Sequence, residues 1–322
     1  MSSPVPARLL AGIDIGGTNI RYALAAPDRP QALLVWHSVE TPPGLTPEQF
    51  VAFIEAEVGR GLKALNASPE TLAGIGCVAP GITDVEKGVV RQATNLGWEN
   101  VPLVQLLENR LGVPAVIEND VNAAAMAEYT YGAGREAGSL VYLTVSTGVA
   151  AGIVLDGRLW RGGGYAAGEI GLFLPEPAHI GKDWRPNGCL ELTAGGVGLA
   201  RAWAARHGGN GTPGEAVEVF NRAREGHPEA VTLVRRAADY LAQAIVAIGA
   251  LLNPDILVLG GSIARNEEWI AGRIREVVDA TLPFPLPIAH SELEGDAPLI
   301  GALLLAARHV AAATPDTAGI DP

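Results

Sequence analysis

Cysteine is nearly absent from this chain of 322 residues: there are two, Cys77 and Cys189, far apart and in no CxxC pair. That excludes a disulfide framework and a cysteine-rich zinc site. Aromatic residues are sparse at 5%, which disfavours aromatic-lined recognition surfaces. Positive charge is also short, with 23 Lys and Arg against 35 Asp and Glu and a formal net charge of -12. A chain this acidic is a poor wrapper of DNA, RNA or an anionic membrane. It can still hold one nucleotide, because backbone N–H groups and a metal ion can meet a few phosphates locally. No stretch reads as a membrane span, and no charged start followed by an apolar run reads as a secretion signal. The expectation is a soluble cytoplasmic protein. A Walker A sequence is missing, and the Gly-x-Gly-x-x-Ala at 132–137 follows a helix and precedes a strand, the wrong context for a dinucleotide fingerprint.

What is present is glycine, 40 residues, in a chain that is 48% hydrophobic and only 18% charged. Tight turns and close backbone approaches around a large core follow, and the length suits two domains sharing a cleft. Residues 9–26 read as strand, Gly turn, strand, and residues 139–155 repeat that pattern. Two related α/β halves facing one another are expected. Helical spacing marks 47–65, 101–111, 119–129, 231–252, 267–282 and 299–313; short apolar strands mark 72–78, 115–118 and 255–259. The stretch 162–188 reads as loop and a cleft wall. The last helix needs cover for its apolar face and is expected to pack on the N-terminal half.

Several segments could carry chemistry. In Asp14-Ile15-Gly16-Gly17-Thr18, two glycines let backbone approach a phosphate, Thr18 adds a hydroxyl, and Asp14 could hold Mg²⁺ through water; an ordinary hairpin turn has the same composition. Glu118-Asn119-Asp120-Val121-Asn122 sits where a strand yields to a helix, the place where open α/β sheets bind ligands. Asp120 there could accept a proton from a sugar hydroxyl, and Asn119 could bond neighbouring hydroxyls, although Asn or Asp before an alanine-rich helix is also the usual cap. Ser146-Thr147-Gly148 could face the first hairpin across a phosphate chain. Glu169 in Gly168-Glu169-Ile170-Gly171 and Glu191 after Cys189-Leu190 are carboxylates suited to sugar hydroxyls. Gly260-Gly261 closes a buried strand where a nucleoside could lie.

In this order and spacing these segments, together with Ala93-Thr94-Asn95-Leu96-Gly97-Trp98 and Ala166-Ala167-Gly168-Glu169-Ile170-Gly171, resemble the ROK family (repressors, uncharacterised open reading frames and sugar kinases), bacterial glucokinases above all. The resemblance spans about Leu9 to Ala307. It implies the two-lobed actin-like ATPase fold, an α/β, ribonuclease H-like architecture with an interlobe active-site cleft. The lobes would be 1–118 with 300–322, and 119–299. Carried over residue by residue, Asp120 would be the catalytic base, and Asn95, Asn119, Glu169 and Glu191 would bind sugar hydroxyls with backbone near Gly81. Asp14, Gly16, Gly17 and Thr18 with Thr147 and Gly148 would bind the phosphates and Mg²⁺ of ATP, while Gly260 and Gly261 would flank the nucleoside. Association as a homodimer is implied as well.

The chain departs from the family at two points. Gly188-Cys189-Leu190-Glu191 survives from the zinc cluster, but the preceding cysteines do not, and His179 with Cys189 leaves too few ligands, so no zinc is expected. Leu172 stands where the family has a histidine that supports both metal and sugar, so sugar identity stays open. The segment 175–187, with Trp184 and Arg185, must be held another way. The implied activity is transfer of the ATP γ-phosphoryl group to a hexose, glucose first, then mannose, fructose or an N-acetylhexosamine. The rivals are a sugar-responsive regulator, a silent sugar- or nucleotide-binding protein and a polyphosphate-using kinase.

Overall fold

Buried apolar residues run almost unbroken along Leu9–Ile15 (β1) and Asn19–Ala25 (β2), and the two pair antiparallel across the Gly16–Thr18 turn. The computed structural model describes residues 6–93, 96–183 and 188–313. Asn95, Trp184, Arg185 and the tail from Thr314 lie outside the described residues. The chain divides into two compact units, 1–127 with 296–322, and 128–295.

In the first unit, β3 (Val35–Glu40) extends the hairpin. Helix α1 (Pro47–Ala64) starts at a capping box: Gln49 N–H donates to Thr46 Oγ1 at 3.3 Å and Thr46 N–H to Gln49 Oε1 at 3.0 Å. Two of its unpaired N–H groups are met in this way, and its Phe50, Ile54, Val58 and Leu62 face the core. Strand β4 (Leu72–Ala79) joins β1 in parallel. Then come β5 (Ile82–Asp84), β6 (Val89–Ala93) and β7 (Trp98–Val101), a small antiparallel sheet that the strand reading of the sequence omits. Its Asp84 is paired with Arg91 at 2.6 Å. Helix α2 (Leu103–Leu111) and strand β8 (Ala115–Asn119) follow, and β8 lies parallel to β4. Helix α3 (Asp120–Tyr131) begins in this unit and ends in the other.

The second unit opens with β9 (Ser139–Val145), β10 (Val149–Leu155) and β11 (Arg158–Leu159). Between 162 and 188 the only helical turns among the described residues are Ile170–Leu172 and Pro177–His179. Helices α4 (Leu190–Ala194), α5 (Gly196–His207) and α6 (Pro213–Arg224) then fill a stretch for which the sequence reading has no elements. Helix α7 (Pro228–Leu252) lays Val234, Ala238, Leu241, Ile245 and Ile248 in one core with Val141 and Leu143 of β9, and Asn253 closes it with φ 42°. Strand β12 (Ile256–Gly260), one π-helical turn (Glu267–Ala271), α8 (Gly272–Thr281) and β13 (Ile288–His290) complete it. The helix expected at 267–282 is thus α8 with an irregular first turn.

The sheets repeat one another strand for strand, β3-β2-β1-β4-β8 and β11-β10-β9-β12-β13. In each, the hairpin is antiparallel and the next two strands are parallel to its first strand. Helix α9 (Ala297–Ala313) returns to the first unit and lies on β1 and β4. Contact is close: a Cβ at Gly76 would meet the backbone of Ala302, and one at Gly12 would press on Leu303. Residues Glu294–Ala313 are, by length and composition, long and apolar enough to cross a membrane, which corrects the sequence reading. Leu299, Ala302, Leu303, Ala306 and Val310 are instead buried in this unit's core.

Candidate functional site

Within the first unit, three candidate positions fall at the carboxyl ends of three neighbouring parallel strands. Register pairs Asp14 of β1 with Val78 of β4, and Ala79 of β4 with Asn119 of β8. Gly81 lies two residues beyond the end of β4, and Asp120 follows β8 as the first residue of α3. Gly81 has φ 91° and the Gln92 carbonyl behind its Cα, so only glycine fits the turn. Its carbonyl accepts from Asn119 Nδ2 at 3.0 Å.

The same Asn119 caps the helix. Its Oδ1 accepts from Val121 N–H at 2.9 Å and Asn122 N–H at 3.1 Å. Asp120 Oδ1 accepts from Val121 N–H alone among these, at 3.0 Å. Glu118, 2% exposed, braces the junction by accepting from Asn119 N–H and Asn122 Nδ2 at 3.0 and 3.1 Å. The positive end of the α3 dipole favours ionised Asp120. The carboxylate therefore stands at a strand–helix junction whose capping falls mainly to its neighbour.

The first hairpin is braced from β3's far end: Thr41 Oγ1 donates to the Gly16 carbonyl at 2.7 Å and Thr41 N–H to the Thr18 carbonyl at 2.8 Å. Gly17 and Thr18 are exposed. Asp14 is ion-paired, with Arg21 Nη2 and Nε donating to its Oδ2 at 2.6 and 2.9 Å. Burial raises its pKa, and Arg21 pulls the other way. Among the described residues no group of three or more His, Cys, Asp or Glu could hold a metal ion. Mg²⁺ fits here only in the manner of nucleotide enzymes, mostly on phosphates and water with one carboxylate oxygen.

In the second unit the Ser146–Gly148 turn is held by the start of α5. Gly196 N–H donates to the Ser146 carbonyl at 2.8 Å and Val197 N–H to the Thr147 carbonyl at 3.1 Å. A pocket of about 460 Å³ opens beside it, lined by Thr147, Gly196, Val217, Phe220, Ile263 and Asn266, among others. Gly260 and Gly261 are not among its lining residues. Gly260 backs onto Tyr142, and Gly261, with φ 87°, onto the Val145 carbonyl. Together they turn the chain so that Ser262, Ile263 and Asn266 reach the pocket. The α6 wall, Val217 and Phe220, has no counterpart in the sequence reading. Its available signal is the Thr212–Glu215 capping box ahead of Ala216, Val219, Phe220 and Ala223.

Glu169 and Glu191 both pack on β10 of the same hairpin. The Gly168 carbonyl accepts from Ala151 N–H at 2.8 Å, and Glu191 Oε2 accepts from Val149 N–H at 3.3 Å. Burial first, and the Glu191 charge second, raise the Glu169 pKa. Leu172, three residues on, is 42% exposed.

Residues 10–309 match the ROK family. A glucokinase from Thermotoga maritima is 31% identical over 314 residues, covering 92% of this chain and 97% of the relative. An N-acetylmannosamine kinase from Salmonella heidelberg is 33% identical over 295 residues, covering 91% and 97%. Among solved structures, a ROK family glucokinase from Streptomyces griseus in complex with glucose and AMPPNP superposes with a TM-score of 0.76 at 29% identity, covering 93% of this chain and 99% of that one. With the match running from the first hairpin into α9, and with a fold shared with these sugar kinases, this chain belongs to the ROK family.

Proposed function

We infer that this protein is an ATP-dependent hexose kinase that transfers the γ-phosphoryl group to a sugar hydroxyl, with glucose, giving glucose 6-phosphate, as its first acceptor. The observation that carries the reading is the alignment of Asp14, Gly81 and Asn119-Asp120 at the ends of adjoining parallel strands. Both acceptor and phosphate groups would be recognised at that edge.

Asn119, Glu169 and Glu191 would hold sugar hydroxyls, with the outlying Asn95 and backbone near Gly81. Asp120 would take the proton of the attacking hydroxyl as its oxygen bonds to phosphorus and the bond to the ADP oxygen breaks. In a loose transition state the proton leaves late, so an ordinary carboxylate is base enough. Gly16, Gly17 and Thr18, with Thr147 and Gly148, would donate to the phosphates, and the nucleoside would enter the pocket beside α6. Gly260 and Gly261 serve that pocket by turning the chain into it. Mg²⁺, when bound, neutralises phosphate charge, and Asp14 would offer it one oxygen while Arg21 fixes the other. A homodimer in the cytoplasm, where ATP is at hand, completes this reading.

A relative that acts on N-acetylmannosamine supports a second acceptor class. Leu172 favours it too, since an apolar side chain there gives a hydroxyl no partner. A coupled ADP-release assay across glucose, mannose, fructose and N-acetylhexosamines decides the acceptor. Asp120→Asn should lower kcat about 10²–10⁴-fold while calorimetry shows glucose still bound. Glucose binding without ADP release from any hexose would make the chain a silent sugar sensor.

A further inference from the structure

The zinc cluster that the family sets ahead of Gly-Cys-Leu-Glu lacks its cysteines here, and the loop it would hold leads from one sugar carboxylate to the other. Leu190 N–H donates to the Phe173 carbonyl at 2.7 Å and closes the loop's base, with Glu169 just ahead of Phe173 and Glu191 just after Leu190. Two possible metal donors survive, His179 and Cys189. A Cβ on Gly188, next to Cys189, would meet the His179 ring, and His179 Nδ1 is buried with no hydrogen-bond partner among the described residues. A structural zinc needs about four ligands, and no group of three forms among the described residues. A different device holds the loop. Glu176 Oε1 accepts from Arg236 Nη2 and from Tyr240 Oη, both on α7. Arg236 Nε in turn donates to Tyr240 Oη at 2.7 Å, and its guanidinium carbon lies 5.2 Å from the ring centroid. The three side chains close a triangle. Its seat is firm, because Arg236 and Tyr240 sit one helical turn apart and Ala237, Ala238 and Leu241 beside them are fully buried. Directly after Glu176 the chain makes the Pro177–His179 turn, with His179 N–H donating to the Glu176 carbonyl at 3.0 Å.

We propose that the Glu176–Arg236–Tyr240 triangle takes the zinc cluster's place in this chain: it pins the loop to α7 and so positions Glu169 and Glu191 for the sugar. The inference rests on the kinase reading for what those two carboxylates bind. An isolated ion pair at a surface contributes little. Here one acceptor oxygen is shared by two donors that also bond each other, so breaking any one contact loosens the others, and the guanidinium adds its contact with the ring. The Arg236 side chain is 52% exposed and that of Glu176 31%, so dissolved ions reach the triangle and screen it. A metal site closed by thiolates would ignore salt and yield to a chelator; this loop responds to salt and ignores a chelator.

The test measures glucose binding to the full chain by calorimetry, with steady-state kinetics beside it. Glu176→Ala should weaken glucose about fivefold, the upper range for a networked surface pair. It should raise KM for glucose by the same factor with kcat and KM for ATP unchanged, a split that a general loss of structure would not give. Tyr240→Phe, which keeps the ring and removes one donor, should give a smaller loss of the same sign. Arg236→Ala should weaken glucose as Glu176→Ala does, and the double variant should lose no more than either. Added sodium chloride should weaken glucose in the wild type and leave Glu176→Ala unmoved, while the zinc chelator o-phenanthroline should change neither. Wild-type glucose affinity in both Glu176→Ala and Tyr240→Phe would overturn the proposal, as would fully additive losses in the double variant or a wild type that loses glucose to the chelator. ADP release by the wild type is scored separately: its absence with every hexose sinks the kinase reading and leaves the binding result to judge the triangle.

Discussion

Helix capping and ligand binding compete for Asn119 and Asp120 in sequence. An acidic or amide residue before an alanine-rich helix can cap it or serve a ligand, and composition alone does not separate the two. Backbone geometry does, by giving two N–H groups to Asn119 Oδ1. The residue types at this junction are legible in sequence, but which of them caps α3 depends on backbone geometry. Glu191 is a sharper case, since nothing in Cys189-Leu190-Glu191 signals that the carboxylate would bond the preceding hairpin. A pH prediction belongs at this scale. Glu169 is raised in the folded state, so the fold binds its proton more tightly than the unfolded chain does. Its contribution is complete below the unfolded value near 4.5 and is lost as pH rises through the folded value. Glu169→Gln should flatten that part of the stability profile, measured by urea midpoints across mildly acidic pH; an unchanged slope would count against the raised carboxyl.

Elements whose apolar period is complete are visible in sequence, and those whose ends carry the information are less so. The hairpins at 9–25 and 139–155 show as apolar runs around glycine, and α7 shows as a long stripe. Helices α4 to α6 escaped because glycines open α5 and split its pattern, and because α6 is charged on most of its surface. The short β5–β7 sheet has strands of only three to five residues, too few for a period to show. Two outcomes test the packing. Gly76→Ala should destabilise by about 1–3 kcal/mol, seen as a lower urea midpoint at constant m, because the Ala302 backbone cannot yield. Val217→Glu sets a negative charge on the α6 wall at a position 62% exposed. It should raise KM for ATP several-fold with stability held within about 0.5 kcal/mol, and an unmoved KM would place the nucleoside elsewhere.

Taken whole, the chain is acidic, with a formal net charge of -12. A long polyanion would have to overcome that field at every repeat, whereas one nucleotide meets it only locally. Inorganic polyphosphate should therefore fail to replace ATP in the ADP-independent version of the assay, and glucose 6-phosphate formed from polyphosphate at a comparable rate would refute this. The repeated strand order of the two sheets was foreshadowed by the two hairpins alone. The apolar face of the last helix likewise pointed to its place on the N-terminal half, where α9 lies on β1 and β4 of the first unit.

That unit needs residues 297–313 to cover β1 and β4. During synthesis its sheet must wait, one apolar side bare, while 128–295 emerges and folds as a continuous stretch. Until α9 arrives, the face of β1 and β4 that it covers stays bare and sticky, so chaperone capture during synthesis should fall on these strands.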